Sequence, residues 1–176
     1  MAATTVPEVV TTSQGTGLVW ALKESLLAYA GRAGARVELG GGAGRLPSTA
    51  EFYFPLVDAD FDGVGLSGTL RFGGQVRIVA HHGLLDIGVF DPWLRVAGRH
   101  GQLSVGDRVT HARGGARIDL VDVALPVPTC DGSTLMWTSA GTELTATGTH
   151  MFGESYGAGE RFAPMSVRVP WDVEGH

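Results

Sequence analysis

Glycine limits what this chain can fold into more than any other residue. It occupies 27 of 176 positions, roughly twice an average share, and is dispersed without a period. Collagen-like repeats and a single flexible linker are therefore excluded, and many short strands joined by tight turns are implied. Between the glycines run short β-prone segments: Arg36–Leu39, Glu51–Val57, Gly65–Phe72, Gln75–Ala80, Leu84–Phe90, Leu94–Ala97, Gln102–Val105, Arg117–Leu125 and Ser166–Val169. Val76, Ile78 and Ala80 alternate with Arg77 and Val79, as in a strand buried on one face.

One segment breaks this pattern. In Leu18–Ala30, the residues Leu18, Leu22, Ser25, Leu26 and Tyr29 fall on one stripe at 100° per residue, with Trp20 and Leu27 on another side. That spacing predicts a helix over about 17–31, capped near Thr16 or Gly17 and stopped by Gly31 and Gly34. A short second helix is allowed near 142–152. The expected fold is mainly β, an antiparallel sandwich or open barrel with one N-terminal helix packed on it. One domain is expected over 15–170, between a Thr- and Ala-rich flexible tail at 1–14 and a short tail at 171–176.

Hydrophobic residues make up 44% of the chain and charged residues 18%, enough for a packed core. The net charge of −5 argues against nucleic acid and anionic membrane as partners. No stretch approaches the ~18 apolar residues of a membrane span, and Cys130 is the one cysteine. The first ten residues have no basic, apolar signal pattern, so an intracellular location is expected of the chain as written.

Three motifs promise chemistry that their surroundings deny. Gly153-Glu-Ser-Tyr-Gly157 matches the nucleophile elbow of serine hydrolases. Only Asp172 and His176 follow it, however, and no parallel α/β pattern precedes it. Asp58-Ala-Asp-Phe-Asp-Gly63 begins like a calcium loop but has Thr69 where the glutamate belongs, and reads as a polar hairpin turn. Gly40–Gly44 lacks the lysine of a phosphate-binding loop and reads as a turn.

Tyr29 and the pair His81-His82 are the more informative polar residues. A phenol ending an apolar stripe needs a partner for its oxygen, and a core hydrogen bond is the commoner solution. Phenolate is also an axial ligand for haem iron, and a histidine bonded to it would ease its deprotonation. Extending the strand parity of Val76–Ala80 turns His82 inward, although a bulge at Gly83 would reverse that.

These residues resemble the HtaA-type haem-binding domain of actinobacteria. Trp20, Lys23, Ser25 and Tyr29 match its opening pattern W-G-x-K-x-S-F-x-x-Y, while Ala21 and Leu26 depart from it. Leu66–Asp86 is similar to a strand ending in G-H-x-G-x-L-D, and Asp91-Pro92 also fits. Phe152–Gly159 with Pro164–Ser166 resembles the closing F-x-x-x-Y-x-x-G…P-x-S pattern. The resemblance covers about residues 17 to 169.

It implies ferric haem b held by Tyr29 as iron ligand, with His81 hydrogen-bonded to the phenol and His82 as second candidate. Ser25, Leu22 and Leu26 are expected to line the pocket. The role implied is haem transport, storage or transfer, with haem donor or acceptor proteins as partners, and family members are usually exported. Two other readings stand beside it. One is a haem-dependent enzyme, for which His100 and His111 are candidate acid–base residues. The other is a β-sandwich module that no longer binds haem.

Overall fold

The computed structural model describes residues 15–47, 49–107, 115–153 and 155–171. Thirteen strands and one α-helix account for most of them. The strands are β1 (Gly17–Trp20), β2 (Arg36–Gly40), β3 (Gly44–Arg45), β4 (Phe52–Asp62), β5 (Ser67–Phe72), β6 (Gln75–Ala80) and β7 (Leu85–Phe90), followed by β8 (Trp93–Ala97), β9 (His100–Gly106), β10 (Arg117–Ala124), β11 (Thr129–Asp131), β12 (Thr134–Leu144) and β13 (Arg161–Pro170). The helix α1 spans Glu24–Arg32, and short 3-10 turns occupy His81–Gly83 and Gly148–Phe152.

Every strand pair is antiparallel, and the large sheet closes on itself. Its order is β1-β13-β12-β10-β9-β8-β5-β4, and β4 returns to β1. Of the two expected architectures, sandwich and open barrel, the chain adopts the barrel, but closed, and closure leaves neither long edge exposed. The short strands β3 and β11 add to this sheet beside β4 and β12, and β2-β6-β7 form a second, three-stranded sheet. One continuous core joins both, from Leu18, Trp20, Phe52 and Trp137 to Val76, Ile78, Ile87 and Val89. No helix among the described residues is long and apolar enough to cross a membrane.

The helix expected over about 17–31 is corrected at its start. Gly17–Trp20 is a strand, pairing β13 on one side (Trp20 opposite Met165) and β4 on the other (Trp20 opposite Phe52). Leu18 and Trp20 are both buried two residues apart, the strand period, whereas the helical reading had set them on different sides. What separates strand from helix is Leu22, whose φ of +62° no regular element tolerates. The helix proper buries Leu26 and Ala30, places Glu24 in its first turn and Arg32 in its last, and ends at Gly34 in the left-handed region.

Thr142–Leu144 is likewise the end of strand β12, so the second helix shrinks to the 3-10 turn Gly148–Phe152. The Asp58–Gly63 segment forms the last residues of β4 and the turn into β5. There Asp58 pairs with Arg71 at 3.0 Å, and Asp62 Oδ1 accepts the Val64 N–H at 2.9 Å. Trp171, assigned to the tail, is half-buried over Gly63, where any side chain would collide with its ring. The Trp171 backbone N–H donates to the Ser133 carbonyl at 2.6 Å.

Gly68 gives a direct test of the barrel wall. Its φ is +133°, and a Cβ there would run into the Asp60 carbonyl of the paired strand. Gly68→Ala is expected to cost about 1–3 kcal/mol, measured as a lower melting temperature. An unchanged melting temperature would mean that β4 and β5 do not approach so closely.

Candidate functional site

The site forms where α1 and the β6–β7 hairpin meet. After α1 the chain turns at Gly34 directly into β2, and β2 pairs with β6 so that Arg36 lies opposite Val79. The C-terminal end of the helix is thereby brought beside the end of β6, where the histidines lie. On the helix, Ser25 and Tyr29 are one turn apart on the same side and both are exposed, while Leu26 and Ala30 face the core. Tyr29 is 44% exposed.

Tyr29 Oη lies 2.8 Å from His81 Nε2, with the ring centroids 5.8 Å apart and the planes tilted by 44°. The tyrosine's partner in this structure is therefore His81; His82 is exposed beside it in the same turn. The parity that pointed to His82 does not apply, because β6 stops at Ala80. His81, His82 and Gly83 then have φ of +52°, +55° and +90°. Three successive left-handed residues reverse the chain into β7, with the Leu84 N–H bonding the His81 carbonyl at 3.1 Å. A left-handed conformation costs roughly 1–2 kcal/mol in a non-glycine residue, so the surroundings must hold this turn. The Arg77–Asp86 pair braces the same hairpin with two bonds of 2.9 and 2.8 Å. Asp86 raises the Arg77 pKa further above its ordinary value.

Ser25 meets a residue to which the sequence assigned no role. Its Oγ is 3.3 Å from Tyr156 Oη, in the segment of the Gly-Glu-Ser-Tyr-Gly string. Tyr156 stands edge-on to Phe152 and Phe162 at 5.9 and 5.6 Å. Lys23 Nζ lies 5.3 Å over its ring while bonding the Arg161 carbonyl at 2.7 Å and Glu160 at 3.1 Å. The string thus follows a 3-10 turn and leads toward β13, with Ser155 far from any strand-to-helix elbow. The available sequence signal was the match of Lys23 and Tyr156 to the two terminal patterns of the resemblance, which did not say that they touch.

The remaining candidates are dispersed. Leu22 and Leu26 are 1% and 4% exposed within the core, so they support the helix from beneath and do not line an open face. In the same turn as His81, Leu84 is 91% exposed, and its N–H bonds the His81 carbonyl. His100 lines a separate cleft with Asp122, Glu143 and Arg161. His111 lies outside the described residues. Among the described residues no cluster of three or more His, Cys, Asp or Glu could hold a metal ion. Any metal centre here would rest on a single phenol with a histidine behind it.

Comparison with known proteins gives the family and the fold. The HtaA family model matches residues 15–168. The C-terminal domain of HtaA from Corynebacterium glutamicum has a similar fold at 20% identity (TM-score 0.73), the match covering 89% of this chain and 96% of that one. The N-terminal domain of the same protein matches at 24% identity (TM-score 0.71), over 90% and 99%. Heme binding protein HtaB of that organism matches at 18% identity (TM-score 0.62), over 88% and 91%. No curated protein sequence matches. With the family model covering nearly all of it, and the same fold in those solved domains, this chain belongs to the HtaA family.

Proposed function

We propose that this protein binds ferric haem b through the Tyr29 phenol oxygen, with His81 as the partner of that oxygen, and that it carries or stores haem. The observation that carries the reading is the exposed 2.8 Å contact between Tyr29 Oη and His81 Nε2. Its support is membership of a family in whose fold one solved relative is described as a heme binding protein.

The residues present suit the group. An accessible phenol oxygen becomes a hard anionic donor on losing its proton, and tyrosinate is a known axial haem ligand. When bound, haem supplies the ferric centre that draws such an anion. His81 serves both protonation states of the phenol: Nε2 accepts the O–H of neutral Tyr29, and an Nε2–H donates to the oxygen once it is ionised. The strained turn keeps Nε2 aimed at the helix, and Ser25 and Tyr156 add two hydroxyls one turn away. The Tyr29 ring and Leu84, in the turn that carries His81, are both exposed apolar surface.

An exposed ligand pair suits loading and release better than catalysis. The enzyme reading also loses a candidate, because His100 lines a cleft that includes neither Tyr29 nor His81.

Haemin titration of the apo-protein, followed in the Soret band, tests the reading. The expected result is saturation at one haem per chain with a tyrosinate-type ferric spectrum. His81→Ala should weaken binding by about 10- to 100-fold, and His82→Ala should leave it unchanged. Protein that stays colourless would support the module without haem. Sustained peroxide turnover would support the enzyme.

A further inference from the structure

The end of the β6–β7 hairpin away from His81 carries a second constellation that the haem reading does not use. On the outer face of the barrel, cross-strand pairing sets Arg71 beside Trp93, Trp93 beside Ser104, and Arg117 beside Gly106. The Arg117 guanidinium carbon lies 3.9 Å from the Trp93 ring centroid, and that of Arg71 lies 5.0 Å from it. Two cations therefore share one indole at the rim of a cleft of about 470 Å³, bordered by Asp58, Phe72 and Asp91.

The charges in this cleft are unevenly paired. Arg71 has Asp58 at 3.0 Å. Arg117 bonds only neutral oxygens: Nε donates to Ser104 Oγ at 3.0 Å, and Nη2 donates to the carbonyls of Ser104 at 2.9 Å and Asp91 at 2.5 Å. No carboxylate among the described residues lies within ion-pair distance of it, and its Nη1 bonds to no described residue. Asp119 is held by Arg95 at 3.0 Å, and Asp91 Oδ1 receives the Gly74 N–H at 2.9 Å. Burial and the field of Arg71 both lower the Arg117 pKa, while Asp91 and Asp119 act the other way. A guanidinium keeps its charge regardless, so this partly buried cation has no directly bonded carboxylate among the described residues, only the more distant fields of Asp91 and Asp119.

We propose that Arg117 and Arg71, stacked on Trp93, form a binding site for a small oxyanion, a carboxylate or phosphate group. The indole packs against both guanidinium groups, and Arg117 Nη1, with no bonded partner among the described residues, keeps N–H groups that an oxyanion can accept from. An anion there relieves the repulsion between the two arginines and neutralises Arg117. The cleft is separate from the haem site. Gly73 and Asp91 lie at the start of β6 and the end of β7, one strand length (about 20 Å) from the His81 turn.

The test is a titration of ¹⁵N-labelled protein with inorganic phosphate and, separately, acetate, at constant ionic strength set by chloride. The Trp93 indole N–H, assigned with Trp93→Phe, is the probe. A saturable shift is expected, absent in Arg117→Gln. Asp58→Asn frees Arg71 from its partner and should tighten binding severalfold. The anion that saturates at the lower concentration identifies the class. A shift that tracks chloride equally well, or an Asp58→Asn protein no tighter than the parent, would reduce the constellation to surface packing. Should Arg117→Gln not fold, Arg71→Gln and Asp58→Asn decide alone. Repeating the titration on Tyr29→Phe separates this result from the haem reading, which that substitution removes.

Discussion

Tyr29→Phe is expected to lower ferric haem affinity by on the order of 100-fold or more, beyond what loss of the partner histidine costs. The substitution removes one oxygen. That oxygen is the candidate iron ligand and the atom 2.8 Å from His81 Nε2. Haemin titration with Soret detection reads the affinity, and far-UV circular dichroism checks that α1 survives. The fold should be nearly indifferent, because Tyr29 is 44% exposed and a single accessible hydrogen bond is worth about 1 kcal/mol. Tyr156→Phe makes the useful contrast, since it deletes a phenol oxygen bonded to Ser25 and leaves the Tyr29–His81 contact untouched. A Tyr29→Phe protein with parental spectrum and affinity would end the tyrosinate assignment.

Trp20→Ala is expected to be the most damaging core substitution. Trp20 is fully buried, its Nε1 donates to the Ala163 carbonyl at 2.7 Å, and it sits on the four-residue strand that closes the barrel. Truncating a buried tryptophan costs about 3–5 kcal/mol. For a domain of this length that lowers the melting temperature by roughly 6–20 °C. The position adds to the chemistry. Weakening β1 frees the edges of β4 and β13 together, so the unfolding protein should aggregate through them. Thermal melting with light scattering reads both effects. Trp20→Phe, which keeps most of the volume and loses the N–H, should fall between. Val19→Thr, at the half-buried neighbouring position, should change stability little. Equal melting temperatures for Trp20→Ala and Val19→Thr would show that β1 does not hold the barrel shut.

Strand existence was legible where a run was long enough for its alternation to exclude a helix. Gln75–Ala80 is read to the residue, and Arg36–Leu39 and Arg117–Leu125 come within one residue at one end. Gly17–Trp20 was not, because three apolar side chains in a row are too few to show an alternation and strand pairing with β4 and β13 is invisible locally. Thr134–Leu144 was missed for another reason. Its strand shifts register twice against β13, and those irregularities interrupt the two-residue pattern that marks a strand.

The site divides in the same way. Residue type and spacing alone placed Ser25 and Tyr29 on one side of a helix, and the motif pattern singled out His81. Which histidine meets the phenol was a question of backbone: β6 ends at Ala80, and a left-handed turn carries His81 to the helix. Local order likewise could not reveal that Tyr156 closes on Ser25 across 131 residues, or that Arg71 and Arg117 share Trp93. The sequence by itself determined a glycine-punctuated antiparallel fold, the amphipathic helix and the residues able to carry chemistry, because these follow from short-range periodicity and side-chain type. Closure of the barrel, burial of Leu22 and Leu26 beneath the helix, and the partner of each polar group were decided only by tertiary structure. They depend on strand pairings and turn conformations that join residues far apart in the chain.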